Sequence, residues 1–343
     1  SGTIVTLAMI EPGSVDTKYA DFNKVDLSGE SWVKDTVFAI KDASGTTVGF
    51  PFAIEGFGLI YNAAVVEKAV GGAFDPWSIN SRDKLVELLG KIKASGVEFP
   101  IAYQTEAWSV GNHYSSMFLN QADDPASIAK QLTEGSLDLA SNATWNGYYE
   151  TMTLLASKDY NKYGERPLGS YYDDAHVSVG KGESAILFNG NWAFDSFQAV
   201  SGEQFGFMPV PVDNDPANPM NNKICVGPTQ LYVINADATP EQQAAAKLFL
   251  NWLVESEFGK NWLVNDCQVI SAFTNNPNKV TNPLGGAIAA AIAQGRTMPF
   301  TTNYVNGADY FNLLGPEVQK FIDQKITLTD LAKVFTDYYK SLS

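Results

Sequence analysis

The stretch Val48–Asn62, VGFPFAIEGFGLIYN, decides how the chain is read. Phe50, Phe52 and Ile54 alternate as in a strand, and the apolar run restarts at Leu59 and Ile60 after Gly56 and Gly58. This pattern predicts two strand segments around a glycine-marked break. One carboxylate, Glu55, stands between them. A charge between buried strands is costly unless it is paired or faces water. Glu55 is therefore expected either at a surface turn or on a crevice where two halves of the protein meet.

Around this stretch, strand-like and helix-like segments alternate, which favours an α/β architecture. Thr3–Met9 is a β-branched run closed by Pro12 and Gly13. Ser81–Ser95 is a predicted helix with Leu85, Leu88, Leu89 and Ile92 on one face and Gly96 as its stop. Phe99–Tyr103 and Ser184–Phe188 follow as strands, and Asn191–Val200 as a helix begun just after Gly190, whose role there is to let the backbone turn freely. Leu231–Ile234 is a strand and Glu241–Val254 a helix. Pro316–Leu342 reads as two helical pieces around Ile326–Thr329, and Asp213–Asn222 as a polar, proline-containing loop. The 343 residues exceed one ordinary domain and allow two cores. With no low-complexity linker between them, the chain is expected to cross between lobes more than once.

The composition bounds function by exclusion. Apolar content of 45% with 18% charged residues is that of a globular chain. A net charge of −15 argues against nucleic acid or an anionic membrane as partner, and no apolar run reaches transmembrane length. The sequence opens on Ser1 without a signal-peptide pattern, as a mature chain would. There is no GxSxG, HExxH, P-loop or strand-following GxGxxG. With only two histidines, His113 and His176, a histidine-based triad or metal cluster is nearly excluded. No cofactor and no metal are expected. DNDPAN at Asp213 lacks the glycine and glutamate of a calcium loop and reads as a turn. Cys225 and Cys267 have no metal-ligand spacing; they either pair as one disulfide or stand as two buried thiols.

What remains is aromatic: seven Trp, fifteen Tyr and twenty Phe. Several stand beside polar residues at strand-to-helix corners, most clearly in QTEAW (Gln104–Trp108) and NGNWAF (Asn189–Phe194). A flat ring flanked by carboxylate and amide groups suits a sugar, whose C–H faces stack on the ring while its hydroxyls bond Asp, Glu, Asn and Gln.

These segments, in this order, resemble the extracellular solute-binding proteins of ABC importers, in the carbohydrate-binding group that includes maltose-binding protein (family 1). FPFAIEGFGLIYN is similar to that family's first hinge segment, and WSINSRDKLVELLGKIKASGVEFPIAY to the helix and strand after it. VSVGKGESAILFNGNWAF keeps Gly182, Ala185, Gly190 and Trp192 of the family's F-x-x-G-x-x-A-M-x-x-x-G-x-W pattern but departs at its start. VGPTQLYVINADATPEQQAAAKLFLNWL resembles the return crossing.

The resemblance implies a two-lobed periplasmic-binding-protein-like α/β fold with a hinge and an interlobe cleft. Residues 1–54 and 233–301 would form the N-terminal lobe, 57–228 and 302–343 the C-terminal lobe, with crossings near 54–56 and 229–232. Thr3–Met9 would match an internal strand of that lobe, so about 50 residues, one to two βαβ units, would precede Ser1 in relatives. The implied function is binding of an oligosaccharide and its delivery to the membrane permease, by a non-enzymatic monomer outside the cytoplasm, as a cell-surface lipoprotein or in the periplasm. The ligand candidates are Glu11, Glu55, Gln104, Glu106, Trp108, Asn191, Trp192, Tyr304, Asp309 and Tyr310. Each has a plainer reading: Glu55 as a turn carboxylate, Trp108 as a packed loop residue, Trp192 as a core tryptophan. Trp32, Trp77, Trp145, Trp252 and Trp262 read as packing residues, and His113 as a structural histidine. The rival functions are a glycosidase using Glu55 and Glu106 and a receptor for another solute, such as a peptide or polyamine.

Overall fold

A computed structural model describes residues 5–16, 19–169, 172–198, 204–302, 304–305 and 307–342. The residues that open the predicted strand Thr3–Met9 and close the predicted helix Asn191–Val200 lie outside the described residues. The chain forms two compact units: Ser1–Glu55 with Val226–Ala289, and Gly56–Cys225 with Ala290–Ser343.

The deciding stretch is one uninterrupted strand. The strands are β1 (Leu7–Ile10), β2 (Ile40–Lys41), β3 (Thr47–Asn62), β4 (Ile186–Gly190), β5 (Phe205–Met208), β6 (Ile224–Ile234) and β7 (Thr297–Pro299). The expected break at Gly56 and Gly58 is absent, and Gly58, like Gly49 earlier on the strand, serves packing rather than turning. A Cβ on Gly58 would stand 3.0 Å from the Met208 carbonyl oxygen, and one on Gly49 would stand 2.3 Å from Leu231. The sheet is open, in the order β1-β6-β3-β2, with β4 and β5 also on β3 and β7 on β6, and every pairing with a recorded register is antiparallel.

In the first unit, β1 pairs with β6 from Leu7↔Ile234 to Ile10↔Leu231. Ile10, Val15, Val48, Leu231 and Val233 form a small core. Beside it, Trp32 meets Phe50 and Phe273 edge to face, at 5.1 and 5.9 Å between ring centroids. In the second unit, β3 is flanked on both sides: Phe57–Tyr61 pair with β4 and Leu59–Asn62 with β5. Its large core includes Trp145, Tyr148, Tyr149 and Phe335. The predicted helix appears as Arg82–Ala94, capped by the Ser81 hydroxyl, with Leu85, Leu88, Leu89 and Ile92 buried. Gly96 takes φ 104° after it, a conformation that glycine alone adopts without strain.

Other expectations shift. Phe99–Tyr103 is not a strand: only Ile101 bridges, in parallel, to Asn161 and Ile186. Ser184–Phe188 moves by two residues, to Ile186–Gly190, so the strand reaches the tryptophan corner itself. Asn191–Ala193 is a 3-10 turn and α-helix follows only from Phe194. Leu231–Ile234 is the end of the longer β6, and the late helices are Gly315–Ile322 and Leu328–Lys340. The loop after Asp213 is pinned rather than loose, since the buried Asn221 donates to Asp213 Oδ1 at 2.7 Å and to the Asp215 carbonyl at 2.8 Å. Among the described residues no helix is long and apolar enough to cross a membrane.

Both cysteines are free; the disulfide is absent. Cys225 is buried, and burial pushes its thiol well above the ordinary range, while Cys267 is half-buried and shifted up by burial and by Asp266. Thiolate is the reactive form. Thiol titration of the unreduced, denatured protein is therefore expected to find two thiols, and titration of the native protein to find Cys267 reacting well before Cys225. A denatured count below two would contradict the free pair.

Candidate functional site

The site is assembled in the second unit by close backbone approaches at glycine. A Cβ on Gly111 would lie 2.6 Å from Gly315 Cα, and one on Gly315 would lie 2.5 Å from the Ala107 carbonyl oxygen. These contacts seat the start of helix Gly315–Ile322 against segment 105–111. Gln319 Nε2 adds a bond to the Thr105 carbonyl at 2.8 Å. Glu106 and Trp108 flank Ala107 and are held by that packing. Trp108 leads into a π-helical turn, Ser109–Tyr114, within which His113 Nδ1 donates to the Trp108 carbonyl at 3.3 Å.

Trp192 arrives from the end of β4. Gly190 has extended backbone (φ −111°, ψ 175°) that any residue could adopt, so the expected freedom to turn is not its role. A Cβ there would sit 2.1 Å from the Trp192 ring, which lies over the glycine. Trp108 and Trp192 are both half-buried, with centroids 6.4 Å apart and planes at 60°. His113 stands 5.2 Å from Trp108 and 5.3 Å from Trp192, edge to face with both, and also meets Phe57 and Phe300. Tyr172 closes the group at 6.2 Å from Trp108. Hydrogen bonds from Asn189 and Trp192 reach the Tyr172 side chain, although burial still pushes its hydroxyl above the usual phenol range. His113 and Tyr172 thus belong to a cluster for which the sequence alone nominated two tryptophans. No periodicity marks them, because they come from a turn and from a separate helix.

The polar members differ in setting. Burial raises the Glu106 carboxyl above its ordinary range; Oε2 is buried without a hydrogen-bond partner, and no ion pair forms among the described residues. Gln104 is fully buried, and neither of its amide atoms is bonded to protein. Asn191 Oδ1 accepts the Gly56 N–H at 2.8 Å. Tyr304 is 36% exposed, whereas Tyr310 is buried in the core at 5%. Asp309 caps the turn Tyr310–Leu314, accepting from Asn312 N at 2.8 Å, and that bond holds its carboxyl below the usual range. Eight of the ten sequence candidates therefore lie in the second unit.

Glu11 and Glu55 belong to the first. Glu11 is exposed and precedes the 3-10 turn Pro12–Ser14. Glu55 is half-buried on β3; burial raises its carboxyl, and a hydrogen bond with Thr229 of β6 partly offsets this. Trp32 and Trp145 are core residues, as read, but Trp252 is 41% exposed. Among the described residues no cluster of His, Cys, Asp or Glu is arranged to hold a metal.

Burial pulls both His113 and His176 down to about 4. His176 is fixed neutral by its contacts, Nδ1 to the Tyr172 carbonyl at 2.5 Å and Nε2 to Asn189 Nδ2 at 2.9 Å. In the unfolded chain both would titrate near 6.5. Between those values the unfolded state binds more protons, so acidification favours it. NMR titration should find both imidazoles neutral down to about pH 4. Their contribution to stability is present above pH 6.5 and is lost as pH falls toward 4. An imidazole titrating near 6.5 in the folded protein would show that its burial is lost in solution.

The family model described as bacterial extracellular solute-binding protein matches residues 5–282. A search among curated proteins finds no match. Among solved structures, the chain is similar to a family 1 extracellular solute-binding protein from Bifidobacterium longum subsp. infantis, at 19% identity and TM-score 0.74, covering 99% of this chain and 86% of that one. It is similar to a chitin oligosaccharide binding protein at 16% identity and TM-score 0.77, covering 98% and 83%. A sugar transporter from Bacillus licheniformis in complex with stachyose matches at 15% identity and TM-score 0.71, covering 99% and 86%. At these identities the structural matches establish the fold.

Proposed function

Because the chain belongs to the bacterial extracellular solute-binding proteins, we propose that it is a carbohydrate receptor that takes an oligosaccharide onto the Trp108–Trp192 face of its second unit and delivers it to the permease of an ABC importer. The observation that carries this reading is the pair of half-buried indoles beside Glu106, whose buried Oε2 has no hydrogen-bond partner among the described residues. Sugar C–H faces stack on the rings, and a hydroxyl donates to the carboxylate. Tyr304, 36% exposed, and Glu55, half-buried on β3, remain further candidates. The family and its structural neighbours are binding proteins rather than enzymes, and the family's description places it outside the cytoplasm; anchoring as a lipoprotein belongs to the proposal.

A thermal-shift screen over neutral mono- and oligosaccharides is expected to give a stabilising hit without turnover. A complete lack of hits, or cleavage of the hit, would sink the reading. Trp192→Ala should weaken the hit by one to two decades, from about 1.5–3 kcal/mol of lost ring burial. The melting temperature should stay near wild type. A core tryptophan would instead show a large loss of stability with affinity intact in the folded fraction.

Binding should also bend the chain where β3 and β6 pass from one unit to the other. Small-angle scattering at saturation is expected to show a smaller radius of gyration than the free protein. An unchanged radius would leave the sugar on an open surface.

A further inference from the structure

The β3–β4 ladder ends at the pair Phe57↔Gly190. One residue further on, only the β4 side leaves the sheet, while β3 runs on through Gly56. Asn191 opens a 3-10 turn, and Gly56 is the first residue of the second unit on β3. The ladder nevertheless gains one more rung, because the Asn191 side chain supplies the acceptor: its Oδ1 takes the Gly56 N–H at 2.8 Å. Asn191 is followed directly by Trp192, whose indole lies over Gly190. On the other side, Asn189 Oδ1 accepts the Gly190 N–H at 2.8 Å, and Asn189 Nδ2 bonds His176 at 2.9 Å. The corner is thus locked by two amide side chains, one of them fastened to the point where β3 changes unit.

We propose that Asn191 is the positioning residue of the sugar site: its side-chain oxygen ties Gly56 to the segment carrying Trp192, so that bending of β3 at Glu55–Gly56 and placement of the indole are one motion. This rests on the sugar-binding reading above. Gly56 cannot shift against the indole without breaking the bond, and an indole seated against a sugar resists the shift. The role needs an acceptor oxygen and not the amide nitrogen, which sets it apart from a direct ligand contact.

The experiment compares Asn191→Ala with Asn191→Asp, which keeps an acceptor oxygen at the same place. Three quantities are read on the whole chain: exchange of the Gly56 amide by NMR, the fluorine resonance of 5-fluorotryptophan at position 192, and the dissociation constant for stachyose. The alanine variant should speed Gly56 exchange about tenfold, the scale of one lost hydrogen bond. It should also broaden the Trp192 resonance and weaken stachyose by a similar factor, while the aspartate variant stays within about threefold of wild type in all three. Gly56 exchange and a Trp192 resonance unchanged by alanine would overturn the proposal. So would an aspartate variant as impaired as alanine, since the amide nitrogen would then be the working group. If stachyose fails to bind the wild type, the first two quantities still decide the role of Asn191, and the sugar reading is judged by the wider screen.

Discussion

The sixteen residues of β3 have to satisfy their backbone along a strand that is buried on both faces, and the rest of the molecule is arranged around that demand. Only Phe52, Glu55 and Tyr61 are partly exposed along its length. In the second unit the demand is met by strands on both edges, β4 and β5, so that Leu59, Ile60 and Tyr61 each have partners on either side. In the first unit β2 pairs only as far as Gly49, and Pro51, which has no N–H to donate, stands two residues beyond it. The Ile54 N–H is taken by the Ile270 carbonyl at 3.1 Å. Glu55 follows. Its carboxyl, raised by burial, has a hydrogen bond with Thr229 and no ion pair among the described residues.

Because β4 is fixed along β3, its C-terminal end is fixed too, and Trp192 of the candidate site follows directly from that end. The remaining freedom lies in how rings and loops pack there, and glycine removes it. At Gly190 the absent side chain is replaced by the Trp192 indole, and at Gly111 and Gly315 by neighbouring backbone. None of the three takes a left-handed conformation. Their requirement is space, and a methyl group at any of them would displace a ring or a chain that carries a candidate ligand residue.

This explains what the sequence made legible. Helix Arg82–Ala94 carries its own signals, with a serine cap, apolar residues on one face and a glycine stop, so it was readable almost to the residue. The strand character of residues 48–62 was equally plain, but its continuity was not. A glycine spared for space and a glycine placed for a turn look the same in one dimension. The same ambiguity misassigned the role of Gly190. Trp108 and Trp192 were nominated by polar neighbours, whereas His113, Tyr172, Phe57 and Phe300 join them only through tertiary contact. Tyr310 sits in the core because the turn Tyr310–Leu314 directs it inward, while its neighbour Phe311 is left 60% exposed.

Burial also settles the electrostatic character of the cluster. It moves the two titratable rings in opposite directions, His113 down and Tyr172 up, and both shifts favour the uncharged form. The cluster is therefore made of neutral rings across the ordinary pH range, with the carboxyls of Glu106 and Asp173 beside it. Neutral rings stack on C–H faces without demanding a charged ligand, and one carboxyl without a cation is free to accept from hydroxyls. Burial raises the Glu106 carboxyl, its Oε2 has no hydrogen-bond partner among the described residues, and hydroxyl donors bonding its charged form would draw it back down. Under the proposed reading, a hydroxyl-bearing ligand would meet the Glu106 Oε2 that no protein group bonds, and the same desolvation that raises the carboxyl would make each donor brought to it count for more than at an exposed site.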